Sequence, residues 1–206
     1  MRNIVLAGLT VVLLMFFGSQ LLAQSCVFDE RVKQKGERHR SRDLVQDVKL
    51  KKVEPFKYCA LEMIGSYDRH EEAFKTLFAE SSKQGIRMQG IMFGIYYSDP
   101  KKTPVDELKW EVGFSISGRE KVRAPLIVKD WKFDRVASLT YEGEFSEEKM
   151  ARVYSSIYNW IFGNGYVPSG PPMECYLDAP RKNESGFLVG KIEVMIPVEE
   201  KNQSGE

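Results

Sequence analysis

Two glutamates stand in the middle of apolar segments, where a carboxylate is costly unless water, a partner or a ligand faces it. Glu111 lies within residues 108–116 and Glu193 within residues 190–198. Around each glutamate, hydrophobic side chains alternate with other residues, which is the period of a β-strand with one apolar face. A carboxylate held in this way can oppose a positive charge on a ligand.

Alternate residues of a strand face the same side of the sheet, and we call each such set of alternate positions a parity. Other side chains suited to binding share the parity of these glutamates. We assign the more apolar parity to the helix side, because each helix must cover one face of its sheet. Its members are Phe93, Ile95, Tyr97, Val112, Phe114, Met173, Cys175, Leu177, Val194 and Ile196. The opposite parity holds Met92, Tyr96, Lys109, Glu111, Glu174, Tyr176, Lys191, Glu193 and Met195.

Aromatic, methionine and carboxylate side chains on that second parity suit an apolar ligand with a positive charge or a reactive polar group. We expect them to face a common cleft. The candidate ligand-binding residues are Glu193, Tyr176, Glu174, Tyr96, Glu111 and Met195. An ordinary solvated sheet face would show the same pattern, so both interpretations stay open.

The same arrangement of residues occurs twice along the chain. Glu111 and Glu193 are 82 residues apart, and Tyr96 and Tyr176 are 80 apart. Matching glycines at positions 65 and 143 are 78 residues apart. Short loop insertions account for the variation in separation from 78 to 82 residues. Because an internal repeat sets the whole fold, we predict a duplicated domain with units at about 56–117 and 133–198.

Each unit is predicted to contain a strand, a helix and two further strands. In the first, strands at 56–64, 91–97 and 107–116 accompany a helix from about 68 to 84. Asp68 and Glu71 are expected to begin this helix as a capping box, and Gly85 to end it. In the second, strands at 135–141, 172–177 and 187–198 accompany a helix over 147–162. The predicted fold class is therefore α+β, with antiparallel sheets and a cleft between the two halves.

Composition narrows the range of partners. The chain has 206 residues, of which 43% are hydrophobic, and its net charge of +1 gives no reason to expect a nucleic acid. His39 and His70 are the two histidines, and neither has the Cys/His spacing of a zinc site, so no metal or other cofactor is expected. Cys59 and Cys175 fall in predicted strands and are expected to be buried, unpaired thiols.

The first 52 residues differ in character from the rest. Residues 1–25 contain a basic start and a short apolar run, typical of a signal peptide or membrane anchor. Residues 23–25 resemble a loose lipobox, which would make Cys26 the acylated first residue of an exported bacterial lipoprotein; plain secretory cleavage is an alternative. Several basic residues lie within positions 31–42, and basic residues tend to stay on the cytoplasmic side of a membrane. An uncleaved anchor with the domain in the cytosol is therefore a further alternative. Residues 26–52 are predicted to be a flexible basic tether, and residues 53–200 the folded domain.

Residues 56–198 resemble the GyrI-like small-molecule-binding domain, which also forms the effector-binding part of some transcription regulators. The resemblance rests on Gly-Ile-Tyr-Tyr-Ser-Asp-Pro at 94–100, Gly-Glu-Phe at 143–145 and Ile-Glu-Val-Met-Ile-Pro at 192–197. It implies a duplicated strand-helix-strand-strand fold with a ligand cleft between the halves, and its pocket glutamate corresponds to Glu193. Met195 stands where that motif has Tyr, which removes one hydroxyl group. Since no DNA-binding helices precede the domain, we do not expect a regulator.

Three functions are compatible with these observations. The first is binding of an amphipathic small molecule that can be cationic, in the cleft between the units, with membrane contact through the N-terminal segment. The second is hydrolysis of strained, cyclopropane-type compounds, which the family resemblance also suggests; a cleft glutamate would act as general base while Tyr176 orients the substrate. The third is a membrane-tethered protein-interaction module. The sequence leaves open whether the protein is an enzyme.

Overall fold

The computed structural model describes residues 44–45 and 47–201, which form an antiparallel sheet and two helices. The strands before residue 132 are β1 (Leu44–Val45), β2 (Lys49–Lys52), β3 (Phe56–Ile64), β4 (Gln89–Tyr96), β5 (Lys109–Ser115) and β6 (Ile127–Trp131). The later strands are β7 (Arg135–Glu144), β8 (Tyr166–Pro168), β9 (Met173–Tyr176), β10 (Arg181–Lys182) and β11 (Leu188–Glu200). The helices are α1 (His70–Lys83) and α2 (Glu147–Gly163), and 3-10 turns cover Tyr67–Arg69 and Val105–Glu107.

The strand order shows how the two halves of the domain meet. Along the sheet the strands run β1, β7, β11, β9, β4, β5, β3 and β6, and each neighbouring pair is antiparallel. β2 also pairs with β7, while β8 and β10 pair with β11. We call β3-α1-β4-β5 the first half and β7-α2-β9-β11 the second half. The pairing of β4 with β9 joins them, and the predicted α+β class with antiparallel strands is confirmed.

Both helices form where apolar side chains recur at helical spacing. α1 buries Ala73 and Leu77, and α2 buries Val153, Ile157 and Ile161 at intervals of four residues. Side chains four residues apart lie on the same face of a helix, so each helix presents one apolar stripe to the sheet. This packing holds α1 over the first half and α2 over the second.

The start of α1 differs from the predicted capping box. Asp68 lies in the 3-10 turn, where its backbone N–H donates to the Ser66 hydroxyl, and α1 begins only at His70. Glu71 instead pairs with Lys75 one turn later, at 2.5 Å. The end of the helix is as predicted, because Gly85 has a φ of 67°, the left-handed conformation that glycine adopts without a steric penalty.

The two faces of the sheet are buried in different ways. On the helix face, where α1 and α2 pack, two separate apolar clusters form, one under each helix. On the opposite face, which we call the inner face, a single cluster draws residues from both halves. Its members are Tyr58, Ala60, Phe93, Ile95, Trp131, Val136, Met173, Cys175 and Met195.

The predicted helix-side parity is correct for β5 and β11 but wrong for β4 and β9. Four residues that were predicted to lie on the helix face lie on the inner face, namely Phe93, Ile95, Met173 and Cys175. Those on the helix face, as predicted, are Val112, Phe114, Val194 and Ile196. The central strands β4 and β9 have apolar neighbours on both faces, so their more apolar parity does not identify the side on which the helices pack. Cys59 and Cys175 are both buried and unpaired, on opposite faces.

A short connection requires the sheet to curve. Lys132, Phe133 and Asp134 alone join β6, at one end of the strand order, to β7, near the other end. A flat sheet would hold these two strands about 29 Å apart, which is six spacings of roughly 4.8 Å. Three intervening residues span at most about 14 Å. The ends must therefore bend towards each other around the inner face, where Phe133 of the connection packs against the cluster.

The strands β1 and β2 lie within the segment that was expected to be a flexible tether. Residues 49–52 pair with residues 135–138 of β7, and Lys51 forms an ion pair with Glu193. The sheet therefore begins before residue 53. The predictions for residues 1–43, including the signal segment and Cys26, lie outside the described residues. Among residues 44–45 and 47–201, none of the helices combines the length and the apolar character needed to cross a bilayer.

We predict that shortening the chain to residues 53–206 lowers the free energy of unfolding by about 1–2 kcal/mol relative to residues 43–206, because the β2–β7 hydrogen bonds and the Lys51–Glu193 pair are lost. Urea denaturation followed by circular dichroism measures the difference. Equal midpoints for the two chains would show that β1 and β2 add nothing, and that the boundary expected from the sequence is adequate.

Candidate functional site

The helix face carries a polar cluster at the junction of the two halves. We call it the Glu174 cluster; its members are His70 of α1, Tyr96 of β4, Tyr154 of α2, and Glu174 and Tyr176 of β9. The Tyr96 hydroxyl donates to Glu174 Oε2 at 3.0 Å, and the Tyr154 hydroxyl donates to Glu174 Oε1 at 2.7 Å. His70 Nε2 lies 2.8 Å from the Tyr96 hydroxyl, which is 3.4 Å from the Tyr176 hydroxyl. Elements of both halves thus surround one carboxylate.

The pairing of β4 with β9 places this cluster. Glu174 lies opposite Gly94, and Tyr176 lies opposite Met92, so all four residues face the same side of the sheet. A Cβ atom at position 94 would lie 2.8 Å from the Tyr96 hydroxyl oxygen. Glycine at this position therefore leaves the space in which the Tyr96 phenol reaches Glu174.

Aromatic rings enclose the cluster from the side of α1. The Tyr67 and Tyr96 ring centres are 5.1 Å apart with an edge-to-face orientation. The Phe74 ring stands perpendicular to that of Tyr176 at 5.5 Å. Edge-to-face contacts of this kind fix ring orientations as well as burying apolar area. The Glu174 carboxylate therefore lies beside a largely aromatic wall.

Burial governs the protonation of the cluster. It raises the pKa of Glu174, although the hydrogen bonds from Tyr154 and Tyr96 favour the charged form and act in the opposite direction. Burial also lowers the pKa of His70 to about 4, so its imidazole is neutral at pH 7. The pKa of Tyr96 lies well above its usual value because of burial and, next in importance, the neighbouring Glu174 charge.

The glutamates at 111 and 193 lie on the inner face, each with its own lysine. Glu111 is fully buried; its Oε1 atom accepts a hydrogen bond from Tyr58 at 2.7 Å, and its Oε2 atom lies 2.5 Å from the Lys129 ammonium. Glu193 pairs with Lys51 at 2.9 Å and also accepts a hydrogen bond from Ser138. Both carboxylates are thus neutralised within the fold.

The expectation that all six candidate residues face one cleft is therefore wrong. The structure brings together Glu174, Tyr96 and Tyr176 on the helix face. Glu111, Glu193 and Met195 lie on the inner face instead. The reason is register, since directly opposite residues share a face and Glu111 pairs with Ile95 while Glu193 pairs with Cys175. The alternation within each strand was correct, but the register between strands cannot be obtained from alternation alone.

Two members of the cluster were not among the predicted site residues. Tyr154 was omitted because the candidate residues were drawn from the predicted strands and not from the helices. Its signal is a stripe at four-residue spacing, formed by Met150, Tyr154 and Tyr158, all of which are partly buried. His70 carries no comparable signal, because a single histidine at the start of a helix is not diagnostic.

The cluster is suited to holding an organic cation or an apolar group with a polar end. A carboxylate supplies negative charge, and the faces of tyrosine rings attract cations. Within residues 47–201, no group of three His, Cys, Asp or Glu side chains has a geometry that could hold a metal ion.

We predict that Glu174 makes stability fall as pH rises. Its native pKa is raised, so above the unfolded value of about 4.3 the unfolded chain releases this proton more readily than the native protein does. The contribution is fully present below that pH and is lost as pH rises through the native pKa. Glu174→Gln removes this dependence. The difference in free energy of unfolding between variant and parent should therefore shift in favour of the variant from about pH 4 to pH 8.

Urea denaturation at several pH values measures this difference. Glu107→Gln removes the same charge from an exposed position and serves as the control. A Glu174→Gln curve that stays parallel to that of the parent over the whole range would contradict the prediction.

Several solved structures share this fold at low sequence identity. The C-terminal domain of EcmrR matches with a TM-score of 0.61 and 18% identity, covering 76% of this chain and 99% of that domain. EcmrR in a complex with DNA gives the same TM-score at 17% identity, and there the chain spans 58% of the relative's length. A hydrolase from Listeria innocua matches with a TM-score of 0.56 and 15% identity, covering 74% of this chain and 92% of the enzyme. No curated protein matches the chain in sequence.

A comparison with protein families identifies the domain more directly. The sequence model of the GyrI-like small molecule binding domain matches residues 46–199. This range contains all strands from β2 to β11 except Glu200, the last residue of β11. The match covers most of the chain and agrees with the α+β architecture. The protein therefore belongs to the GyrI-like small-molecule-binding family.

Proposed function

We propose that the protein binds an amphipathic small molecule with a positive charge, and that Glu174 is its counter-charge. A contrast among three strand glutamates carries the proposal. Glu111 and Glu193 pair with lysines at 2.5 and 2.9 Å. Glu174 accepts hydrogen bonds from two neutral tyrosines and forms no ion pair within the described part of the chain. A cationic group is the partner that this carboxylate lacks.

The surroundings of Glu174 favour a cation attached to an apolar body. The rings of Tyr96, Tyr154 and Tyr176 offer both apolar contact area and cation–π attraction. Because burial raises the pKa of Glu174, the empty site stabilises the charged carboxylate poorly. A bound cation would favour the charged form, so ligand binding and ionisation of Glu174 would be coupled.

The position of the cluster fits a site between the two halves. His70 and Tyr154 come from different helices, and Tyr96 and Glu174 come from the strands that join the halves. A ligand there would contact both halves at once. Membership of a small-molecule-binding family supports the binding of a ligand, while its location and its positive charge rest on the geometry of Glu174 alone.

Hydrolysis is a second candidate function for the same site. A carboxyl group with a raised pKa is suited to general acid–base chemistry, and the Tyr96 and Tyr176 hydroxyls, 3.4 Å apart, could orient a polar substrate group. Strained cyclopropane-type compounds are the substrate class to test. Turnover that is lost in Glu174→Gln while binding is retained would favour this function over simple binding.

We predict that Glu174→Gln weakens binding of benzyltributylammonium, which joins apolar groups to a permanent positive charge. The loss should be about 1.5–3 kcal/mol, or roughly 10- to 150-fold in Kd, because the variant keeps the shape of the side chain and removes its charge. Isothermal titration calorimetry on the full chain measures the change.

Glu193→Gln is the matched control, because it makes the same substitution on the inner face. We expect its Kd for the same cation to equal that of the parent. A loss confined to Glu193→Gln would move the site to the inner face, and equal affinities for parent and both variants would refute a role for either carboxylate.

The N-terminal hypothesis is independent of the binding site. We propose, from the sequence alone, that residues 1–25 are removed in a bacterial host and that Cys26 becomes a lipid-modified first residue. Intact-mass measurement of the protein purified from membranes should give the mass of the chain from Cys26 plus acyl groups. An unmodified mass that includes Met1 would instead favour an uncleaved anchor.

A further inference from the structure

His70 is joined to the Glu174 carboxyl through the hydroxyl of Tyr96. Its Nε2 atom lies 2.8 Å from the Tyr96 oxygen, and that oxygen lies 3.0 Å from Glu174 Oε2. The imidazole packs against the Trp110 ring, whose centre is 4.6 Å away, so its orientation is restrained. A line of hydrogen bonds therefore runs from α1 through β4 to β9.

The Tyr96 hydroxyl at the middle of this line has only one proton. It can donate one hydrogen bond and accept up to two. Its two shortest contacts are with His70 and Glu174, whereas the Tyr176 hydroxyl is 3.4 Å away, beyond the usual length of an O–H···O bond. Of the first two neighbours, the one that does not accept from Tyr96 must therefore donate to it.

The charge of Glu174 decides the direction of these bonds. An ionised carboxylate only accepts, so Tyr96 then donates to Glu174 and His70 must donate from Nε2. A protonated carboxyl group donates from one oxygen. The Tyr154 hydroxyl donates to Oε1 and has no other acceptor within the described residues, so reversing that bond would leave a buried donor unpaired. The carboxyl proton therefore lies on Oε2, and Tyr96 donates to His70 Nε2 instead.

His70 can serve both arrangements because it is neutral. Burial lowers its pKa to about 4, although a hydrogen bond with the Tyr67 backbone and the charge of Asp68 act in the opposite direction. A neutral imidazole carries its single proton on either nitrogen. With the proton on Nε2 the ring donates to Tyr96, and with the proton on Nδ1 it accepts from Tyr96.

The other titratable groups around the line keep their charge states at pH 7. Those that face His70, Tyr96 or Glu174 come from the 3-10 turn, α2 and β9, and they are Tyr67, Asp68, Tyr154 and Tyr176. Burial raises the pKa of the three tyrosines, so they stay protonated. The proton of Glu174 is thus the one that a change near neutral pH or a bound cation can remove.

We propose that His70 is a positioning residue of the helix-face site, and that its tautomer follows the charge of Glu174 through Tyr96. The ring carries Nδ1–H while Glu174 is protonated and Nε2–H once Glu174 is ionised by a rise in pH or by a bound cation. The part that concerns the cation rests on the proposed function. In both states the protons of Tyr96 and Tyr154 have acceptors, which an apolar side chain at position 70 would not allow.

The protons balance between the two states. The carboxyl proton goes to the Tyr96 oxygen, the phenol proton of Tyr96 goes to Nε2, and the Nδ1 proton goes to water. Three protons on Glu174, Tyr96 and His70 become two, and the imidazole is neutral before and after. The change therefore releases one proton to the solvent without forming an imidazolium ion.

Nitrogen-15 spectra of the full chain with labelled histidine test the proposal without any ligand, because they distinguish Nδ1–H, Nε2–H and the imidazolium. The chain has two histidines, and His70→Gln identifies the signals of His70 by their loss. We expect Nδ1–H at about pH 5 and Nε2–H at about pH 9, where a carboxyl group with a raised pKa has ionised. Glu174→Gln should keep Nδ1–H throughout, since its amide nitrogen donates to Tyr96 as the protonated carboxyl does.

Tyr96→Phe tests the route between the two residues. It keeps the ring and removes the hydroxyl, so the His70 tautomer should no longer change with pH, whereas a direct effect of the Glu174 charge would persist. Tyr176→Phe is the matched control, because it removes the hydroxyl at 3.4 Å and should retain the change. The same tautomer in parent and Glu174→Gln at high pH, an imidazolium at neutral pH, a change that survives in Tyr96→Phe or one lost in Tyr176→Phe would each overturn the proposal.

Adding benzyltributylammonium separates this inference from the proposed function. At a pH where the parent shows Nδ1–H, the bound cation should convert His70 to Nε2–H, because it favours the ionised carboxylate. A tautomer that follows pH and ignores the cation would refute cation binding at Glu174 while it supports the role of His70. A tautomer that follows neither would refute the role of His70, and calorimetry on the same sample would still report whether the cation binds.

Discussion

The antiparallel pairing of β4 with β9 is the contact on which the rest of the structure depends. It joins two halves that otherwise have separate helix-side cores, and it sets Gly94 opposite Glu174. Because side chains alternate along a strand, a slip of one residue would move Glu174 to the inner face and Cys175 to the helix face. The carboxylate would then lie beside the apolar cluster of the inner face, without its hydrogen bonds from Tyr96 and Tyr154. The cost of burying it there helps to specify the register.

The domain meets the cost of a strand carboxylate in two ways. On the inner face, lysines from β6 and β2 neutralise Glu111 and Glu193, so both charges are satisfied within the fold. On the helix face, the donors to Glu174 among the described residues are tyrosine hydroxyls, and its pKa is raised by burial. The first solution stabilises structure. The second leaves free energy that an incoming charged group can recover, which is why Glu174 and not Glu193 is the better candidate for ligand binding.

Much of the fold could be predicted from the sequence because its signals are local. The bounds of β3 were predicted at Phe56 and Ile64, and α2 was predicted to within a residue, since periodicity and glycine positions specify these elements. The strand character of β2 was missed because Lys49–Lys52 has no alternating pattern; pairing with β7 determines its conformation. That contact is distant in sequence, and no local pattern reports it.

The candidate site was less predictable, for a related reason. Tyr96, Glu174 and Tyr176 were grouped by their shared parity, and the pairing of β4 with β9 brings them together. Glu111 and Glu193 were wrongly added, because the register of β5 and β11 against the neighbouring strands places both glutamates on the inner face. Tyr154 approaches from a helix, and whether such a side chain reaches a sheet residue depends on how the helix is packed. Periodicity carries no information about that packing.

The pairing of Gly94 with Glu174 gives the helix-face site a direction. Tyr96 and Tyr176 stand 80 residues apart in sequence, yet their hydroxyls meet at 3.4 Å. Gly94 and Glu174 have the same separation in sequence, and they face each other across the strand pair. The two strands at the junction therefore differ at these paired positions, because one carries a carboxylate and the other only a hydrogen atom. If a ligand with one charged end binds there as proposed, this difference would give it a single preferred orientation.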